Sequence, residues 1–206
     1  MLNYLKTLFS RFAKWIGSVS WKADKEIPVY SKERIKELLK SNYYIILTRR
    51  SNHLSTYIIG ALELLMRFKI GYWSHALMNL EDTVTTVDDF RLLQATGKGV
   101  DYATFDEVFD VQSVALLKPK CMTIDEWTEV LDTAKRQVGK QYDSLFDIKN
   151  DDKVSCIELV RIILMAQTNY KEDFANFEAM ITKYKNVSPQ MLFDCDDFEV
   201  DYIMFV

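Results

Sequence analysis

The segment CIELVRIILMAQ, residues 156–167, reads as a helix that is apolar on nearly every side, with Arg161 as its one basic residue. A helix of this kind is stable in water only when other elements cover it all round. The chain must therefore build layers around it. The helix has a defined start: Ser155-Cys156-Ile157-Glu158 is a capping box, in which the Ser155 hydroxyl serves the third helical residue and Glu158 reaches back. Cys156 falls in the first helical position.

The surrounding elements follow from periodicity and punctuation. Residues 31–40 predict a short helix, YYIILT at 43–48 a buried strand, and about 53–68 a longer helix closed by Gly71. Further strands are expected at 73–80, 89–96 and 111–119, with a last one at about 197–205. Thr123-Ile124-Asp125-Glu126 is a second capping box, and Trp127, Val130, Leu131, Ala134 and Val138 then recur at helical spacing until Gly139. VSPQMLFD, residues 187–194, is read as leading into the final strand. Strands and segregated helices together predict an α+β fold. A link around Asp24 to Tyr30 divides residues 1–30, an N-terminal helix and linker, from one domain at 31–206.

Composition removes several classes of function. Three widely spaced cysteines and two histidines, with no Cys-x-x-Cys pair, give neither a zinc site nor a disulfide framework, and no metal or cofactor is expected. The net charge of −4 conceals a basic front: residues 1–80 carry 13 Lys+Arg against 5 Asp+Glu. The acidic overall balance argues against nucleic-acid binding, which needs a concentrated cationic face. ATGKGV at 95–100 has two of the three glycines of a dinucleotide fingerprint and opens no helix, so it reads as a hairpin turn. DIKNDD at 147–152 lacks the glycine and distal glutamate of a calcium loop and reads as a solvated turn. The acidic tail DCDDFEVD reads as a charged edge and not as a metal site.

Residues 2–16 form a basic amphipathic pattern, with Leu2, Leu5, Leu8, Phe9, Phe12 and Ile16 on one side. Such a helix either packs on the core or attaches through residues 1–21 to a membrane surface or a protein partner. No run reaches the roughly 18–20 apolar residues of a membrane span, and the N-terminus lacks a signal-peptide core. The expected location is cytoplasmic or intracellular.

Cys156 is the residue on which chemistry can be built. At a helix start the free N–H groups and the dipole favour negative charge, which eases ionisation of a thiol and can hold a developing oxyanion. A thiol hydrolase also needs a base, and histidine is the side chain that titrates near neutrality. His75 lies in a predicted strand beside Tyr72 and Trp73; His53 sits at a helix entrance and is read as exposed or capping. Gln94, on the next strand, is the candidate to orient the imidazole, although an amide can only accept one proton and brings no charge. Tyr142 and Asp143 are placed to shape the approach to Cys156.

These residues carry a resemblance. GKQYDSLFDIKNDDKVSCIELV is similar to the glycine, Tyr-Asp, Phe and Cys-x-Glu-Leu-Val pattern of the YiiX-like branch of the NlpC-type papain-like hydrolases. YWSHALM resembles that branch's Ser-His strand, LLQATGKGV the segment after it, and VSPQMLFD its C-terminal Ser-Pro element. The likeness spans about residues 42–206. The branch is circularly permuted, with histidine ahead of cysteine, and the order His75, Gln94, Cys156 fits it. The resemblance implies a permuted papain-like fold, an antiparallel sheet against the helix of Cys156, with Cys156 as nucleophile, His75 as base and Gln94 as third residue. This chain has Gln where the branch usually has Glu, which weakens the triad electrostatically. The implied activity is that of a cysteine amidase or peptidase on a peptide, isopeptide or peptidoglycan-derived substrate. The kinship with the lecithin-retinol acyltransferase type keeps a lipid acyl substrate open, and Gln94 keeps open a non-catalytic binding or particle-assembly role.

Overall fold

The computed structural model describes residues 26–50, 53–67, 71–79, 91–143, 153–167, 169–184 and 188–206, the side chains of residues 62, 63, 65–67 and 124 excepted. In chain order the elements are α1 (Val29–Ser41), β1 (Tyr44–Arg49), α2 (Leu54–Arg67), β2 (His75–Asn79), β3 (Leu92–Thr96) and β4 (Gly99–Ala103). There follow α3 (Phe105–Phe109), β5 (Ser113–Pro119), α4 (Ile124–Gln137), β6 (Gln141–Tyr142), β7 (Lys153–Val154) and α5 (Cys156–Leu164). The chain closes with α6 (Tyr170–Asp173), α7 (Ala175–Tyr184), α8 (Pro189–Asp194) and β8 (Phe198–Phe205). The expected amphipathic segment at 1–21 and the turn at 147–152 lie outside the described residues.

Among the described residues, six strands form one sheet in the order β4-β3-β2-β1-β5-β8, every neighbouring pair antiparallel. The two-residue period of a strand sorts its side chains. Ile45, Leu47, Ala76, Met78, Leu93, Ala95, Ala115 and Leu117 turn to one face, where α4 and α5 bring Trp127, Val130, Leu159, Val160 and Ile163. Tyr44, Ile46, Leu77, Leu92, Val114 and Leu116 turn to the other, covered by Ile35 and Leu39 of α1 and by Phe105 and Phe109 of α3. Both faces are dry. That is why YYIILT is a continuous apolar run: alternation of apolar and polar residues would mark a sheet with one wet face.

The helix read as apolar all round receives the cover it needs. Ile157, Leu159, Val160, Ile163 and Leu164 are buried between the sheet, α4 and the C-terminal helices, which contribute Phe174, Phe177 and Ile181. At about 1.5–3 kcal/mol for each large apolar side chain buried, this packing outweighs any cap or surface pair. Arg161 stays at the rim, with its guanidinium on Glu178 at 2.6 and 3.0 Å.

Among the described residues stand three capping boxes. Those at Thr123 and Ser155 were legible in the sequence; the third, Thr104 with Glu107, starts the short α3. Residues 187–194 differ from expectation. They do not run into the final strand, because Pro189 takes the first helical position of α8, where its missing N–H costs nothing and its fixed φ suits the helix.

The hairpin read at ATGKGV is present, with Thr96 opposite Gly99 across the two residues Gly97 and Lys98. Gly99 has φ +119, and a Cβ there would lie 2.7 Å from the Lys140 carbonyl oxygen. That close approach has a purpose. The Val100 N–H donates to Lys140 at 2.9 Å and the Gly139 N–H to Val100 at 2.9 Å, which docks the chain leading into β6 against β4. Gly99→Ala should lower stability by about 1–3 kcal/mol, read from the urea midpoint, through strain and steric displacement of Lys140.

Candidate active site

The Cys156 helix is aimed by a short parallel ladder. Gln141 pairs with Lys153 and Tyr142 with Val154, and the Asp143 N–H donates to the Val154 carbonyl at 3.2 Å. Ser155 then turns the chain into α5: its N–H donates to Glu158 Oε2 at 2.7 Å, and the Glu158 N–H returns to Ser155 Oγ at 3.4 Å. This cap employs the Glu158 carboxylate, which is why an acidic side chain can sit buried at the start of an apolar helix. Cys156 itself is only 3% exposed.

The expectation of an easily ionised thiol is not met in this resting geometry. Burial pushes the Cys156 thiol up to about 11, against the pull of backbone N–H groups from Ala76, Ile157 and Cys156 itself; nearby Glu158 adds to the rise. A helix terminus is worth about 0.3–1 kcal/mol, less than one pH unit, whereas burial of a charged group shifts pKa by several. Desolvation wins. The sulfur is a neutral thiol held among three N–H donors.

His75 opens β2, opposite Thr48 on β1. Leu77 stands opposite Gln94 on β3, so His75, two residues before Leu77, is the diagonal neighbour of Gln94 on the same face. The contact is made: His75 Nε2 and Gln94 Oε1 are 3.2 Å apart. With the amide oxygen toward the ring, which can only accept, the proton sits on Nε2 and the lone pair on Nδ1. Burial draws the imidazole down to about 4; the Gln94 hydrogen bond opposes this and the positive charge of Arg50 assists it. The ring is neutral throughout the physiological range.

The link between the two halves is the peptide bond joining His75 to Ala76. Its N–H is one of the backbone groups that pull the Cys156 thiol downward against burial. The pairing of β2 with β3 ends at Leu77 and Gln94, one residue beyond Ala76. α5 packs against both strands there. Gln94 thus meets His75 directly, and Cys156 packs in the cluster of Ala76, the next residue along β2.

The segment entering β2 is clamped. Gln190 Oε1 accepts from the N–H groups of Tyr72 at 2.8 Å and Trp73 at 3.4 Å, Arg49 donates to the Tyr72 carbonyl at 2.6 Å, and the Ser74 N–H donates to Thr48 at 3.1 Å. Sequence reasoning placed no role on Gln190; the Ser-Pro-Gln turn into α8 was the only signal. Tyr142, suspected only of shaping the approach, is a second addition. Burial raises its phenol well above the ordinary tyrosine value, and the proximity of Cys156, Asp143 and Glu158 raises it further. It therefore keeps its proton in the neighbourhood of Cys156.

The other candidates lie elsewhere. His53 precedes α2, where its carbonyl accepts the Thr56 N–H at 3.1 Å, a capping place. Cys121 is exposed, and burial raises the Cys195 thiol to about 12. No described helix is long and apolar enough to cross a membrane.

Comparison with known proteins bears on the whole. No curated protein sequence is significantly similar to the chain. The crystal structure of the metalloprotein YiiX from Escherichia coli O157:H7 (DUF1105) is similar in fold, with a TM-score of 0.57 at 20% identity over 79% of this chain and 97% of that one. Among the described residues of this chain, no group of three or more His, Cys, Asp or Glu is arranged to hold a metal ion. Residues 45–200 match the permuted papain-like amidase enzymes of the YaeF/YiiX, C92 family. A sheet in which the histidine strand precedes the cysteine helix, together with a family match over most of its length, establishes that this chain belongs to the permuted papain-like amidases of the YaeF/YiiX type.

Proposed function

We propose that the protein is a cysteine amidase that opens a peptide or isopeptide bond through a thioester, with Cys156 as nucleophile, His75 as general base and Gln94 orienting the base. The observation that carries this reading is the packing of the Cys156 helix on the two strands that bear His75 and Gln94, with His75 Nε2 bonded to Gln94 Oε1.

The steps follow from the protonation states. Nδ1 of His75 takes the thiol proton as the sulfur attacks the substrate carbonyl carbon, forming the C–S bond. The N–H groups of Cys156 and Ile157, already turned toward the sulfur, stabilise the oxyanion, with the Tyr142 hydroxyl as a further donor. The imidazolium returns its proton to the amine, the C–N bond breaks and the amine leaves. Water, deprotonated by His75, then attacks the thioester; the carboxylic acid departs and the thiol regains its proton. Burial raises the cost of a thiolate at rest, and proton transfer coupled to attack avoids accumulating one.

Replacing Cys156 by Ala should abolish labelling by a thiol-directed acyl probe at this site while the circular dichroism spectrum is unchanged; undiminished labelling in the variant would refute the assignment. The resting pair also makes a pH prediction. The base works only when unprotonated, so hydrolysis of p-nitrophenyl acetate above the Cys156→Ala background should rise as pH passes upward through about 4, with no second fall between pH 7 and 9. The 240 nm absorbance of a Cys156 thiolate should stay absent near pH 7 and emerge toward about 11. A full thiolate signal at neutrality would show a preformed ion pair instead.

A further inference from the structure

Gln94 raises a problem for the proposed machinery. A carboxamide has an oxygen and an NH2 on the same carbon, and rotation by half a turn exchanges them. With the oxygen toward His75 Nε2, the ring carries its proton there and Nδ1 is a base. With the NH2 toward it, Nε2 must accept, the proton moves to Nδ1, and the base is lost. A carboxylate at this position would be acceptor-only and could not make that error.

The structure holds a carboxylate one strand further out. Asp101 on β4 stands directly opposite Gln94 in the antiparallel ladder, where cross-strand Cβ atoms are about 5 Å apart. Its Oδ1 is fully buried and has no hydrogen-bond partner. A buried carboxylate oxygen left without a donor is costly and asks for a partner. The register brings Gln94, with a donor to give, to the opposing position.

We propose that Asp101 is a positioning residue for the base: a side-chain rotation lets its carboxylate, unpartnered at Oδ1 in the structure, accept from the Gln94 NH2 across the ladder, which fixes the Gln94 oxygen on His75 Nε2 and keeps the Nδ1 lone pair for the thiol of Cys156. The pair Gln94–Asp101 then stands in for a single glutamate, the amide carrying the contact and the carboxylate carrying the direction and the charge. The inference rests on the assignment of Cys156 and His75 made above. It explains why an amide suffices in a place where it would otherwise lack direction.

The test uses the full chain, p-nitrophenyl acetate as acyl donor, and nitrogen-15 NMR of the imidazoles, simplified because the chain has two histidines. Asp101→Asn can accept or donate and no longer selects one amide orientation. It should lower the Cys156-dependent rate by about tenfold or more and convert His75 from the Nε2–H tautomer to a mixture of both, with the circular dichroism spectrum retained. The double variant Gln94→Glu with Asp101→Asn restores an acceptor-only group beside the ring and should recover both the rate and the single tautomer. Gln94→Glu alone sets two carboxylates opposite one another and should be slower than the double variant. Asp101→Asn with unchanged rate and tautomer, or a folded double variant as slow as Asp101→Asn, overturns the proposal. Cys156→Ala separates the two levels: if it is inactive while Asp101→Asn is fully active, only the role of Asp101 fails; if it retains the full rate, the site assignment fails and this inference with it.

Discussion

The structure depends on the burial of one helix that is apolar on its flanks and polar at its start. α5 must be enclosed by the sheet, α4 and the C-terminal helices, yet its first turn leaves N–H groups that no helical carbonyl can satisfy. Ser155 and Glu158 satisfy part of that demand through their reciprocal bonds. The N–H groups that remain point at the sulfur of Cys156, along with one from Ala76 on the neighbouring strand. The same enclosure that stabilises the helix packs it against β2 and β3.

Enclosure also decides the electrostatics. A thiol at a helix start is favoured for ionisation, and an imidazole beside an amide oxygen is favoured for protonation, but both tendencies are worth less than the loss of water. Desolvation drives the Cys156 thiol to about 11 and His75 to about 4, away from each other, leaving a neutral acid and a neutral base. In the mechanism proposed above, such a pair holds its proton until a substrate carbonyl accepts the sulfur. Order, not charge, is what the surroundings supply at rest. Gln190 grips the Tyr72 and Trp73 amides from 118 and 117 residues away in sequence, and Gly99 lets β4 draw in the segment that carries Tyr142.

Much of this was legible locally. The capping boxes at Thr123 and Ser155, the apolar run YYIILT and the Gly-Lys-Gly turn each announce themselves, because a cap, a dry strand and a positive φ are demands made by neighbouring residues. The small helices after residue 169 were less visible. α6 has four residues and α8 six, too short for a periodic signal to rise above composition. The ladder of β6 with β7 has two residues on each side and no sequence signature, yet it is what carries Tyr142 to the thiol. Gln190 and Asp101 were passed over for the same reason: a lone polar residue gains meaning only from the group set opposite it.

By itself the sequence determined that a buried helix begins at Cys156 and that a histidine and a glutamine lie on strands before it, since helix caps and strand composition depend on near neighbours. Only the tertiary structure decided that Leu77 faces Gln94 and Gln94 faces Asp101, because strand register is settled by the packing of two apolar faces along the whole sheet. It alone also decided the protonation of the site. The position of a thiol in a helix can be read from the chain, but the water it loses depends on everything packed around it.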